Sequence, residues 1–376
     1  MDDEKKFWVG FNLVKGVGAV RMRVLLDSFG SAEKAWNASQ ESLEISGLPT
    51  KIVQSIINTR NSDKLDRVWD YLIKNDIEVI MWADKSYPRR LVEIEQPPPV
   101  LYIRGNLIDA DQWAVAVVGT RRVTPYGSQV AEEIAGSLAS NGITIVSGLA
   151  RGTDAIAHQA ALNKGGRTLA ILGNGVDRIY PPEHRKLAER IITQGALISD
   201  YPPGTAPESS NFPPRNRIIS GLSQAVIVVE AGEKSGALIT AAFAIEQGRE
   251  VFAVPGNIHA VRSKGTNLLI REGAHILLDS QDVLETLNFA QISQQRVARA
   301  TLPSNSTEAH LYEILGHEPL HIDEIRAKSD LPIEQVTATL TFMELKGMIR
   351  QVGSMNYIAV LESKGDYQIE TLEQDI

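Results

Sequence analysis

Six short apolar runs recur through the middle of the chain: Trp113-Ala-Val-Ala-Val-Val118, Ile143-Thr-Ile-Val-Ser147, Arg167-Thr-Leu-Ala-Ile-Leu172, Ala196-Leu-Ile-Ser199, Ala225-Val-Ile-Val-Val229 and Glu250-Val-Phe-Ala-Val254. They are rich in β-branched residues and do not alternate with polar ones, the pattern of parallel strands buried on both faces. Helical spacing between them predicts crossover helices and an open α/β sheet. Ligands of such sheets sit beyond the carboxyl ends of the strands. Here those ends carry Gly119-Thr120-Arg121-Arg122 and Ser147-Gly148-Leu-Ala-Arg151-Gly-Thr-Asp154. Glycine lets the backbone approach a phosphate, amides at a helix start donate to it, and guanidinium groups fork onto its oxygens. An anion-binding face is the expectation.

The flanks have different periods. Residues 1–83 read as short helices, with Leu13-Val-Lys-Gly16-Val17-Gly18 leading to Met22, Leu25 and Leu26, and Ile45-Ser-Gly47-Leu48-Pro49 leading to Ile52, Ile56 and Ile57. Two Gly turns opening helices fit a helix-hairpin-helix (or SAM-like) pair that grips phosphate, or equally a small helical docking module. Residues 84–106, with Gln96-Pro-Pro-Pro-Val, read as extended chain joining this domain to a core over 84–290. A polar linker follows over 291–306, then a winged-helix pattern over 307–361 and a polar tail over 362–376. In the winged helix, Leu311 with Ile314 and Leu315, Ile322 with Ile325, and Val336 with Leu340 and Leu345 mark three helices. A turn at Lys346-Gly347 leads into a hairpin.

Charge changes the picture locally. The net charge of −8 speaks against a nucleic-acid binder, but the acidity is mostly C-terminal: residues 84–290 hold 20 basic and 21 acidic residues, and residues 291–376 hold 7 and 13. In the middle region 15 of the 20 cations are Arg, the side chain suited to bidentate phosphate recognition. The winged helix sets four cations against eight acids, and its run from Leu331 to Glu344 has no Lys or Arg, so a protein contact is expected there rather than DNA reading. With no cysteine, and seven His without close pairing, no disulfide, metal or cofactor is expected. The start Met1-Asp-Asp-Glu-Lys-Lys is not a secretory signal and no apolar run reaches the ~20 residues of a membrane span, which predicts a cytoplasmic chain without membrane contact.

A second cluster of candidate chemistry is Asn211-Phe212-Pro213-Pro214-Arg215-Asn216-Arg217-Ile-Ile-Ser-Gly221. Two Arg flanking an Asn at a helix start suit phosphates or base edges, with Phe212 placed to stack. Together with Gly119-Thr-Arg121, the Ser147 to Asp154 turn, Ser235-Gly236-Ala-Leu-Ile-Thr240 and Pro255-Gly256, these motifs occur in an order that resembles the DNA-processing protein A family, DprA or Smf. The resemblance implies an extended Rossmann-like core that binds single-stranded DNA without base specificity and forms a homodimer. It further implies protection of incoming DNA and loading of a RecA-type recombinase in natural transformation. It assigns DNA contacts to Gly119, Thr120 and Arg121, to Ser147 and Gly148, and to Arg215, Asn216 and Arg217. Arg122, Arg151, Phe212, Ser235 and Gly236 join the expected site. Where the family commonly has a basic residue after Tyr-Pro, this chain has Pro182, leaving Arg185 or Lys186 to supply that charge.

A nucleotide-binding or nucleotide-hydrolysing enzyme is the alternative. Related folds that cleave nucleotide-like substrates use Pro-Gly-Gly-x-Gly-Thr-x-x-Glu, whereas the corresponding helix start here, Ser235 to Thr240, carries no such Glu. Asp154 and His158, one helical turn apart, form an imaginable acid/base pair, but capping by Asp154 and an ordinary, satisfied helix residue at His158 are the favoured readings. A non-enzymatic protein is expected.

Overall fold

All six apolar runs become strands of one sheet. The computed structural model describes residues 2–287, 305–315, 319–345, 348–352 and 355–359. In chain order the strands are β1 (Glu78–Met81), β2 (Val100–Gly105), β3 (Ala114–Val118), β4 (Thr144–Ser147), β5 (Thr168–Ile171), β6 (Gly195–Ser199), β7 (Ala225–Val228), β8 (Glu250–Ala253) and β9 (His275–Ile276). Across the sheet they lie β1-β2-β6-β5-β4-β3-β7-β8-β9. From β6 to β9 all pairings are parallel. The order reverses at β3, with β4 to β6 laid down on one side and β7 to β9 on the other, so the switch point for ligand binding lies at its carboxyl end. The ends of β3, β7 and β8 are level, because Val118 pairs with Val228 and Val228 with Ala253.

Three strands were not expected. β1 falls in the stretch read as helical, β2 in the stretch read as a connector, and β9 is a two-residue edge. β2 is antiparallel to both β1 and β6. Its run Val100 to Ile103 is fully buried, but it begins directly after three prolines, whose missing N–H groups mask the start of a strand.

The N-terminal helices are α1 (Asp2–Asn12), α2 (Ala19–Phe29), α3 (Ala32–Asn37), α4 (Gln40–Ile45), α5 (Thr50–Arg60) and α6 (Lys64–Lys74). The region is helical as expected, and the glycine turns that join α1 to α2 and α4 to α5 each use a left-handed glycine, Gly16 at φ 95° and Gly47 at φ 86°. These helices do not stand apart from the sheet. Trp8, Phe11, Leu25 and Ile56 belong to the same buried cluster as Val100, Tyr102, Ala170 and Leu197. After α7 (Arg89–Val92), the crossovers are α8 (Pro125–Ser140), α9 (Thr153–Asn163), α10 (Arg185–Gln194), α11 (Phe212–Gly221), α12 (Gly236–Glu246) and α13 (Lys264–Arg271), with α14 (Ser280–Thr286) after β9. Residues of α9 and α10 pack with the N-terminal helices on one face, and those of α11 to α13 pack on the other.

The chain divides into units 1–287 and 288–376. The second contains α15 (Ser306–Ile314), β10 (Leu320–His321), α16 (Ile322–Ser329), α17 (Ile333–Leu345), β11 (Ile349–Gln351) and β12 (Asn356–Ala359), with sheet order β10-β12-β11. This is the expected winged helix, built on Leu311, Leu315, Ile325, Val336, Leu340 and Met343. Asn305 and Ser306, assigned to the linker, start α15: the Asn305 side chain accepts from the Glu308 N–H at 2.8 Å. Residues 291–304, the Lys346-Gly347 turn and the tail 362–376 lie outside the described residues.

Candidate nucleic-acid interface

The turn after β3 is built to hold two arginines outward. Thr120 N–H donates to the Glu230 carbonyl at 2.8 Å, and the Glu230 carboxylate accepts from Thr124 N–H at 2.9 Å and from its hydroxyl at 2.6 Å. Glu230, 4% exposed at the end of β7, thus braces residues 120–124. Gly119 is required by packing, since a Cβ there would lie 2.5 Å from Thr153 Oγ1. Arg121 and Arg122 are exposed, and neither has an ion-pair partner among the described residues.

Arg121 lies 5.6 Å from the centroid of Phe212, whose ring is 5.9 Å from that of Tyr180. These three side chains border a cavity of about 400 Å³, together with Thr120, Asp154 and Asn216 and the start of α12 at Ser235-Gly236. Ser235 caps α12 by accepting from Ala237 N–H at 3.3 Å. The positive end of an eleven-residue helix therefore joins the guanidinium at the cavity wall. Tyr180 is 40% exposed and presents an aromatic face at the rim. Asn216 is buried, its amide donating to the Gly236 carbonyl at 3.3 Å, which ties α11 to α12.

Beneath the cavity lies a buried polar layer. Ser147 Oγ donates to the Val117 carbonyl at 2.7 Å, and Asp154 Oδ2 accepts from Gly148 and Ala150 N–H, each at 3.2 Å. Asp154 thus organises the turn after β4 rather than capping α9. Arg215, 4% exposed, donates from Nη1 to the carbonyls of Gly148, at 2.8 Å, and Ile171. Burial pushes its pKa down to about 10, with Asp154 opposing that shift, and burial pushes the Asp154 carboxyl up against the pull of Arg215. A Cβ on Gly148 would overlap the Arg215 guanidinium.

Gly119, Thr120, Arg121, Phe212, Arg215, Asn216, Ser235 and Gly236 thus converge on one cavity, with Ser147 and Gly148 in the layer below. Other expected residues stand elsewhere. Arg217 donates to Asp200 Oδ2 at 2.6 Å and to the Gln96 carbonyl at 2.8 Å, anchoring α11 away from the cavity. Arg151 pairs with Glu183 at 2.5 Å. Arg185 and Lys186 are exposed at the start of α10, and Lys186 borders a separate groove. His158 is fully buried with Nδ1 2.6 Å from Thr168 Oγ1, and that hydroxyl donates onward to the Ile145 carbonyl. Nδ1 is therefore the donor to Thr168, and Nε2 has no hydrogen-bond partner among the described residues. Tyr180 and Glu230 escaped the sequence reading. The Tyr180 signal was hidden in a proline-rich helix start, and Glu230 looked like an ordinary polar strand end.

The sequence profile described as DNA recombination-mediator protein A matches residues 78–288, and that of the DprA winged helix domain matches residues 295–354. The chain belongs to the DNA recombination-mediator protein A family. Protein Smf of Synechocystis is 37% identical over 95% of this chain and 99% of its own length. The DNA processing protein DprA of Bacillus subtilis is 42% identical over 60% of this chain and 76% of its own. Among solved structures, DprA of Streptococcus pneumoniae matches with TM-score 0.66 and 34% identity, covering 74% of this chain and 97% of that one. DNA processing protein A of Helicobacter pylori, studied for its single-stranded DNA binding mode, matches with TM-score 0.51 and 33% identity over 57% of this chain and 97% of its own. The family profile covers every strand of the large sheet, so the cavity lies in the part of the chain that defines the family. No helix among the described residues is long and apolar enough to cross a membrane.

Proposed function

We propose that the protein binds single-stranded DNA with little base preference at the β3 switch point. In this reading it acts in the cytoplasm as a homodimer, without catalysis, protecting incoming strands in natural transformation and passing them to a RecA-type recombinase. The observation that carries the DNA-binding reading is the convergence of Arg121, exposed and without an ion-pair partner among the described residues, with Phe212, Tyr180 and the α12 N-terminus on one cavity. Cation and helix dipole suit a phosphate, while aromatic faces stack on any base, which makes the binding tolerant of sequence. The Helicobacter relative's single-stranded DNA binding supports the same ligand class.

Arg121→Ala is expected to weaken oligonucleotide binding at least fivefold and to flatten the plot of log affinity against log salt by about 0.7, the contribution of one phosphate contact on a single strand. Unchanged affinity and slope would remove the cavity from the site. Parallel titration of duplex DNA and ATP separates this reading from a nucleotide-utilising enzyme.

The acidic winged helix serves a protein partner in this proposal. A chain ending at Leu287 contains the whole cavity, so it is expected to stay folded and dimeric by light scattering and to bind oligonucleotide within tenfold of the full chain. A larger loss in a folded truncation would place a DNA contact in the winged helix.

A further inference from the structure

Beyond the cavity, along the level ends of β7 and β8, lies a second group of exposed side chains that the reading above does not use. Tyr126, in the first turn of α8, is 51% exposed, and its hydroxyl donates to the Pro255 carbonyl at 3.0 Å. The hydrogen bond fixes one end of the ring and links two segments, 119–127 and 255–264. Between them these segments hold Arg121, Arg122, His259, Arg262 and Lys264 and no acidic residue. Glu233 of the neighbouring loop is engaged with Lys264 at 3.7 Å, and Arg262 has no ion-pair partner among the described residues.

The 255–262 loop is held firmly. Gly256 exchanges two hydrogen bonds with the Asn267 side chain, at 3.2 and 3.0 Å. Ala231 N–H donates to the Arg262 carbonyl and Gly265 N–H to the Ala231 carbonyl, both at 2.8 Å, which fastens the loop to the end of β7. Yet Ile258 is 75% and Val261 70% exposed. Apolar side chains held in water beside cations and a tethered tyrosine suit the two chemistries of a single strand, base faces and phosphates.

We propose that a strand leaving the cavity continues over a second cradle formed by Arg122, Tyr126 and the 255–262 loop, so that the binding track crosses the ends of β7 and β8. The inference rests on the proposed DNA-binding role and extends it to a longer footprint. Tyr126 stacks on a base, Arg262 meets a phosphate, and Ile258 with Val261 covers base edges from water.

The test compares oligo(dT) of about 6 and about 20 nucleotides on the full chain, lengths chosen around the site sizes of single-strand binders. Tyr126→Ala is expected to weaken the long oligonucleotide at least fivefold, Tyr126→Phe to retain it, and Arg262→Ala to flatten its salt slope by about 0.7. Short-oligonucleotide binding is expected to stay at the parent value in all three, which also reports an intact fold. Parent-like binding of the long strand by Tyr126→Ala and Arg262→Ala, beside an impaired Arg121→Ala, overturns the cradle and leaves the cavity standing. Losses in Tyr126→Ala and Arg262→Ala with an unaffected Arg121→Ala support the cradle and overturn the cavity. Equal losses of short and long strands in Tyr126→Ala also overturn the cradle, because the tyrosine then acts on the cavity through α8.

Discussion

Arg215→Ala is expected to destabilise the protein by about 3–5 kcal/mol, the combined cost of taking a charged donor from two buried carbonyls and of emptying the space of a large buried side chain. The side chain holds the carbonyls of Gly148 and Ile171, at the ends of β4 and β5, and is among the charges that offset the buried Asp154 carboxylate. Removing it leaves two buried acceptors unpaired and pushes the Asp154 carboxyl further up, while opening a cavity beside Phe212. Urea unfolding measures the effect as a lowered midpoint, and a loss below about 1 kcal/mol would contradict this account of the buried layer. Any DNA-binding loss in this variant would come with lost stability. Arg121→Ala separates the two, because an exposed guanidinium with no ion pair among the described residues contributes little to the fold. Both guanidinium groups lie beside the Phe212 ring, Arg215 holding the cavity floor and Arg121 standing exposed where the proposed function places the ligand.

His158→Gln is expected to remove a large part of the protein's loss of stability in acid. Burial, with smaller contributions from His184 and Arg215, pushes the His158 pKa down to about 3 from an ordinary 6.5. The unfolded chain therefore takes up the proton first. The stability this neutral imidazole contributes is fully present above pH 6.5 and is lost as the pH falls toward 3. At 1.36 kcal/mol per pH unit, roughly 3 kcal/mol disappears between pH 6.5 and about 4. Asp154 and Asp200, both pushed up by burial, have the opposite sign, with stability falling as pH rises through their raised range. They are present in both proteins, so the difference between parent and variant isolates the histidine. Glutamine can still donate to Thr168. Chemical denaturation of both proteins at pH 7, 5.5 and 4 checks the prediction: parallel stability curves would mean that His158 titrates normally in the fold.

The six buried parallel strands, the helical N-terminal region with its two glycine turns, the winged helix and the glycine and arginine turns of the sheet were legible in the sequence. Each depends on a period or turn chemistry confined to a few neighbouring residues. β2 was not legible, because three prolines hide its start and its partner β6 lies about ninety residues later. The sequence also placed Arg121, Arg215 and Arg217 alike, as cations beside glycine and asparagine. Tertiary structure alone distinguished them: Arg121 is exposed beside an aromatic ring, Arg215 is buried under Gly148, and Arg217 is paired with Asp200. Likewise Tyr180 and Glu230 acquire roles through packing against Phe212 and Thr124, residues distant along the chain. The kind of side chain and its place at a strand end are local properties, which sequence determines. Whether its charge faces solvent, a carbonyl or a carboxylate depends on chain segments that meet when the sheet closes, and that was decided by the fold.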